Sequence, residues 1–247
     1  MNLRLKAFAI HLLISASIVS IFFYFALLVW YPDPYDYFYS SFNILKIVLL
    51  VDLIIGPLLT LIIYDIKKSR NELRRDLSIV ALIQILAFAW GVHVTYDSRP
   101  VFLVFSNKDF YVLAKGDVDL ALLKDNALMP AFWEETKMVY VKPPKDSEEL
   151  TALYKDYLMG EKPQIALRLD RYLPLTEGFD YITQFSIDIS EVKKNASKKL
   201  ELDKFLKARD NQLSNYVFFP VNGTNKKATL VFERETGKMV TMIEFEL

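Results

Sequence analysis

Three long apolar runs dominate the first part of the chain. Residues 8–30 make a run of 23, with His11 and a few hydroxyl or phenol groups as the only polar interruptions. Residues 42–64 make a second run of 23, broken by Lys46 and Asp52, and residues 77–96 supply 20, with Gln84 and His93 the most polar. A membrane-spanning helix needs roughly 20 predominantly apolar residues. Helices of a soluble bundle would carry a polar face, which these runs lack. The pattern therefore predicts three transmembrane helices. The first run is too long for the core of a signal peptide. Its end, Leu28-Val29-Trp30-Tyr31-Pro32, has no small-x-small cleavage pattern, so it reads as an uncleaved anchor.

Past residue 97 the pattern changes to short strands and amphipathic helices. Residues 101–105 and 110–114 are apolar runs of strand length separated by a polar turn, which predicts a hairpin. Residues 138–141 suggest a third strand, stopped by Pro143-Pro144. Over 146–159, Leu150, Leu153, Tyr154, Tyr157 and Leu158 follow a helical stripe, and Asp146 with Glu149 resembles a capping box. A lysine-rich helix is expected over 190–209. Residues 216–221, 228–234 and 238–245 are β-rich, with turns at Asn222-Gly223 and Thr236-Gly237. The expected fold is a membrane protein of three N-terminal transmembrane α-helices (1–96). An α+β domain (97–247) follows and ends in an antiparallel β-meander.

Charge sharpens this division. Of the 60 charged side chains only 14 fall within residues 1–96. Basic residues in short loops set orientation. Arg4 and Lys6 precede the first run, and Lys67, Lys68, Arg70, Arg74 and Arg75 occupy the segment 65–76 between the second and third. The segment 31–41 has no basic residue and carries Asp33 and Asp36. The N-terminus is thus expected in the cytoplasm and the C-terminal domain in the periplasm of a bacterial inner membrane. Trp30, Tyr31, Tyr35, Tyr37 and Tyr39 read as interfacial anchors on the outer side.

Several chemistries are disfavoured by composition. The chain has no cysteine, which removes disulfides, thiolate metal sites and cysteine nucleophiles. Residues 97–247 have no histidine, and no Gly-rich phosphate loop or nucleophile elbow occurs. The net charge is zero, which gives no footprint for nucleic acid. No catalysis, cofactor or metal is expected.

Asp52 is the outlier. A carboxylate near mid-bilayer is costly and faces protein or water. Gly56, one turn on, permits close helix approach, and Pro57 cannot donate to the carbonyl of Leu53, which predicts a kink. Ser20 on the first run lies at a similar depth, and Gln84 on the third within roughly one to two turns of that level. Two roles fit Asp52: a polar group that holds the three helices together, or a contact for a partner's transmembrane segment or an ion. Arg99 and Pro100, at the membrane exit, form either an interfacial anchor or a hinge.

Residues 6–15 (KAFAIHLLIS), 51–61 (VDLIIGPLLTL), 75–84 (RDLSIVALIQ) and 96–102 (YDSRPVF) resemble the type IV pilin accessory proteins, the TfpX/TfpZ group. The likeness covers about the first 105 residues and thins afterwards to Phe218-Phe219-Pro220-Val221 and Glu235-Thr236-Gly237. It implies an inner-membrane accessory factor, without enzymatic activity, that binds a cognate type IV major pilin and promotes its assembly into pili. The lipid bilayer and the pilus assembly platform are the other expected partners. A membrane-anchored periplasmic ligand-binding scaffold or sensor component is the alternative, and a small transporter subunit a third.

Overall fold

The computed structural model describes residues 3–38, 46–160, 164–188, 202–205, 207, 213–224 and 226–244. The chain forms two compact units: Met1–Pro32 with Ser40–Arg99, and Asp33–Tyr39 with Pro100–Leu247.

The first unit contains three helices long and apolar enough to cross a membrane: α1 (Leu3–Trp30), α2 (Lys46–Ile63) and α3 (Arg70–Asp97). The last turn of α1 widens to π geometry over Ala26–Trp30, where the Tyr31 N–H donates to the Ala26 carbonyl at 2.9 Å. Helix α3 starts well before the expected residue 77. Its cap is a full capping box: the Ser69 hydroxyl accepts from the Glu72 N–H, and the Glu72 carboxylate accepts from the Ser69 N–H. The basic segment read as a loop is therefore mostly helix. Arg4 pairs with Asp65 at 3.0 Å, and Lys68 with Asp76 at 2.7 Å.

Each helix buries one narrow stripe and leaves the rest apolar and exposed, as lipid solvation permits. On α1 the stripe is Ser15, Val19, Phe22, Ala26 and Trp30; on α3 it is Val80, Gln84, Gly91 and Thr95. These recur every three or four residues, the spacing of one helix face. Gly91 is small because the side chain of Val48 lies where its Cβ would stand: such an atom would meet Val48 Cγ2 at 2.4 Å. Above it the Tyr31 hydroxyl donates to the Thr95 carbonyl at 2.8 Å.

The second unit is an α+β fold on one seven-stranded sheet, in the order β4-β3-β1-β2-β5-β6-β7. The strands are β1 (Pro100–Ser106), β2 (Asp109–Ala114), β3 (Lys137–Val141), β4 (Tyr172–Pro174), β5 (Tyr216–Asn222), β6 (Lys227–Glu233) and β7 (Met239–Ile243). The β1–β2 hairpin turns through Asn107 and Lys108, at φ 53° and 76°. β5, β6 and β7 form the expected antiparallel meander. Two parallel pairings complete the sheet: β2 with β5 joins the hairpin to the meander, and β1 with β3 attaches the β3–β4 pair on the other side. Every residue of β1 is buried, as befits a central strand. Phe105, Phe110, Phe219 and Phe232 stack across the middle strands with ring centroids 5.1–5.9 Å apart.

Two further helices pack on this sheet. In α4 (Ser147–Leu158) the Asp146 carboxylate accepts from the Glu149 N–H at 2.8 Å, while Glu149 reaches back to the Lys145 N–H and pairs with Arg171 at 2.6 Å. Only Leu153 of the expected apolar stripe is buried; Leu158 is 78% exposed. Helix α5 (Leu175–Thr183) was not expected. Its Gly178 admits the ring of Tyr140, whose atoms lie as close as 2.5 Å to where a Cβ would be. Between the two, the buried Arg168 guanidinium grips Asp170 at 2.8 and 2.9 Å and lies 3.7 Å from Asp156. That grip, with the charge of Arg168 behind it, holds the Asp170 carboxyl below the usual carboxylate range. The predicted helix 190–209 lies largely outside the described residues; of it, 202–205 are helical, and Leu202 and Phe205 pack against Phe218 and Val231.

The segment 33–38 corrects the interfacial-anchor reading. Tyr35 and Phe38 are buried within the second unit, and Phe38 lies where a Cβ on Gly223 would stand, 2.6 Å from its own Cβ. Lys226 Nζ sits 4.0 Å above the Tyr37 ring. Trp30 and Tyr31 are buried in the first unit, and Tyr39 lies outside the described residues.

Candidate functional site

Asp52, Gly56 and Thr60 recur every fourth residue along α2, so they share one face. All three are buried, Asp52 to 5% exposure. The turn that carries Asp52 is π-helical over Leu50–Ile55, and the Gly56 N–H donates to Val51, five residues back. Pro57 removes a donor just beyond, and the helix answers with this wide turn. The expected kink thus takes the form of a π segment, a geometry frequent at functional positions.

Gly56 and Gln84 meet. A Cβ on Gly56 would fall 1.8 Å from Gln84 Nε2 and 2.4 Å from its Cδ, so the missing side chain is the space the Gln84 amide fills. The close approach offered by Gly56 is therefore used by the chain's own third helix. Thr60, one turn further, is hydrogen-bonded through its hydroxyl to His11 Nδ1 on α1. His11, a polar interruption of the first apolar run, is thus tied across the bundle.

Beside these contacts a groove of about 270 Å³ remains open. His11, Ser15, Asp52 and Gln84 give its polar lining; Ile14, Ile18, Val19, Ala81, Ile85 and Phe88 supply the rest. One oxygen of Asp52, Oδ2, is fully buried and has no hydrogen-bond partner among the described residues. A buried polar atom without a partner is costly, and most so where no bulk water can reach it. The groove is therefore an apolar trough with one unsatisfied acceptor, complementary in chemistry to an apolar helix carrying an N–H or cationic donor.

Ser20 does not join the site. It follows Val19 by one residue, which turns it by about 100° around the helix axis, and it is exposed. Ser15 occupies the role assigned to it. Ser15, Thr60 and Gly91 were missed by reasoning from depth, although their small-residue spacing against Val19, Gly56 and Thr95 carries the signal. Arg99 is buried, with its guanidinium 4.6 Å from the Tyr96 ring centroid, and Pro100 opens β1; the division between the two units falls between them.

The second unit has its own concavity, of about 180 Å³, between the β1–β2 turn and α4. Leu150, Leu153, Tyr154, Tyr181 and Phe185 line it, with Lys108 and Lys142 at its edge.

A family model described as fimbrial assembly protein FimB matches residues 1–39. The fimbrial assembly protein of serogroup I from Dichelobacter nodosus is 35% identical over 113 residues, 46% of this chain and 44% of that relative. The serogroup E1 protein of the same organism is 34% identical over the same length and is likewise covered to 44%, so the match spans less than half of these two relatives. No solved structure matches the chain. The protein of serogroups C1 and C2, also from Dichelobacter nodosus, is 34% identical over 113 residues and is covered to 86% of its own length. That degree of identity over nearly a whole relative, in agreement with the type IV pilin accessory resemblance, places the chain in the family of fimbrial assembly proteins.

Proposed function

We propose that this protein is an inner-membrane accessory factor that binds a cognate type IV pilin and promotes its assembly into pili, without catalysis. In this reading α1, α2 and α3 cross the bilayer with the N-terminus in the cytoplasm and the second unit in the periplasm. The distribution of basic residues supports that orientation: apart from Lys46 at the start of α2, those of the first unit's helical region lie in the first turns of α1 and around the start of α3, and the segment 33–38 has none. A fimbrial assembly protein with three spanning helices shares the membrane with a subunit whose own helix must be received and passed on.

The observation that carries the reading is the groove with the unpartnered Asp52 oxygen. It gives a lipid-embedded helix a shaped, mostly apolar trough and one strong acceptor. Because Gln84 occupies the space at Gly56, the proposed contact is the trough between α1 and α3, with Ser15 and Gln84 beside Asp52. The concavity between α4 and the β1–β2 turn, with its exposed apolar side chains, supports recognition of the pilin head by the second unit.

Deletion of the gene in its piliated host should abolish surface pili while pilin remains in the membrane; unchanged pili would remove the pilin reading. Asp52→Ala, expressed at native level, should then lower both pilin crosslinking and piliation. If both stay intact, the groove is structural and the pilin contact lies elsewhere.

A further inference from the structure

Between the short turn Asn126–Leu128 and β3 the chain presents an aromatic tip. Trp133 is 72% exposed, Phe132 40% and Met129 39%, and the two rings meet edge to face at 4.5 Å. The tip is built to hold its shape. The Glu134 carboxylate accepts from the Ala131 N–H at 3.1 Å and pairs with Lys137 at 2.9 Å, closing the turn at its base. A large, rigid, amphipathic ring held out in this way is poorly suited to bulk water.

Chain connectivity says what covers it. Thr136 Oγ1 donates to the carbonyl of Pro100 at 3.2 Å, and Pro100 follows the end of α3, Asp97, by three residues. Three residues reach about 10 Å at most, so Trp133 lies within roughly that distance of the bond that ties its segment to Pro100, where the chain enters the second unit. The other connection leads to the same place. Glu135 lies close enough to the buried Tyr35 to push its phenol upward, adding to the larger effect of burial. Tyr35 in turn follows the end of α1, Trp30, by five residues. The tip is thus rooted where both segments arriving from the spanning-length helices enter the second unit. Tryptophan partitions to the bilayer interface, where its ring is apolar and its N–H stays wet.

We propose that the Phe132–Trp133 tip is a lipid-interface anchor, dipping into the headgroup region of the bilayer that α1 to α3 cross. The proposal uses the spanning reading of those helices and is independent of the pilin.

The absence of native cysteine makes the test direct. Trp133→Cys carries a nitroxide in the full chain, reconstituted in vesicles of phosphatidylethanolamine and phosphatidylglycerol. Leu158→Cys on α4 serves as the water-exposed control. The label at 133 should collide with oxygen and be shielded from a water-soluble nickel chelate, while the control is open to nickel. Because Phe132 remains, the substitution leaves half of the anchor in place. The second measurement keeps the native ring: the emission lost between wild type and Trp133→Phe should be quenched by phospholipids brominated near the headgroup. Nickel access equal to the control overturns the proposal, as does shielding from both reagents. Absence of bromine quenching, or shielding that requires co-reconstituted pilin, overturns it in favour of a protein-covered surface.

Discussion

The Gly56–Gln84 contact allows a quantitative test of how the bundle is held. In Gly56→Ala the new methyl would stand 1.8 Å from Gln84 Nε2, 2.4 Å from Cδ and 3.0 Å from Oε1. Comfortable separation is about 3.5–4 Å, so the amide must leave. It can swing into the neighbouring groove, which costs about 0.5–1.5 kcal/mol if it ends off-rotamer and forfeits its packing on α2. Alternatively α2 and α3 separate, which also loosens Val48 from Gly91. Either route is overpacking, and the expected destabilisation is roughly 1–3 kcal/mol. Gln84→Ala removes the group the methyl strikes. The double variant Gly56→Ala/Gln84→Ala should therefore be more stable than the sum of the single changes predicts, with a coupling of about 1–2 kcal/mol.

Unfolding of the full chain by titration with dodecyl sulfate in mixed micelles, followed by tryptophan emission, measures all four corners of the cycle. Additivity within about 0.5 kcal/mol would refute the contact, because sites that do not touch simply add. The cycle also separates packing from function. If Gln84 swings into the groove in Gly56→Ala, pilin crosslinking falls in that variant and recovers in the double one.

Two further outcomes are expected in the second unit. In Gly178→Ala the methyl meets atoms of the Tyr140 ring at 2.5–2.8 Å; a ring in a sheet yields less than an amide, so thermal unfolding should show a loss of roughly 1–3 kcal/mol. Arg168→Met should change the acid limb of stability: the depressed Asp170 carboxyl contributes stability that is present above its unfolded value, about pH 4, and is lost as pH falls through its lower folded value. Melting temperature followed from neutral pH down past pH 4 should fall more shallowly in the variant than in wild type, from a lower starting point.

What could be read from the sequence depended on the range of the interaction. The spanning-length runs, the β1–β2 hairpin and the β5–β6–β7 meander follow from local pattern; the strands formed close to their expected bounds, while α1 and α3 begin earlier than their apolar runs. The parallel pairings of β1 with β3 and β2 with β5 leave no local mark, because their register is set across the sheet. Helix α5 was hidden by Gly178, a residue disfavoured in helices and present here for Tyr140. The start of α3 was readable in Ser69-x-x-Glu72 but was masked by the charge run that follows. In the bundle, counting residues gives depth and leaves azimuth open. That is why Gln84, expected within roughly one to two turns of the level of Asp52, is found against Gly56, while Ser20 was chosen over Ser15.

The energetics of Asp52 bear on which of its two roles the fold favours. A polar group that merely holds helices together gains its effect by closing onto partners, and the neighbouring contacts do so. Thr60 is bonded to His11, Gln84 is packed on Gly56, and the Thr95 carbonyl accepts from Tyr31. Each polar side chain of the α2 face beyond Asp52 is thus engaged inside the bundle. Among the described residues Asp52 Oδ2 has no hydrogen-bond partner, and the groove beside it is lined mostly by apolar side chains. A made interhelical hydrogen bond in a membrane averages only about 0.6 kcal/mol net, but a buried oxygen left with no partner costs more than that, so a donor that reaches it relieves the difference. The same acceptor offered to an incoming helix adds orientation to an otherwise apolar contact. On the proposed reading, an acid oxygen without a partner among the described residues, beside the Thr60–His11 and Gln84–Gly56 contacts, favours the partner-facing role over the structural one.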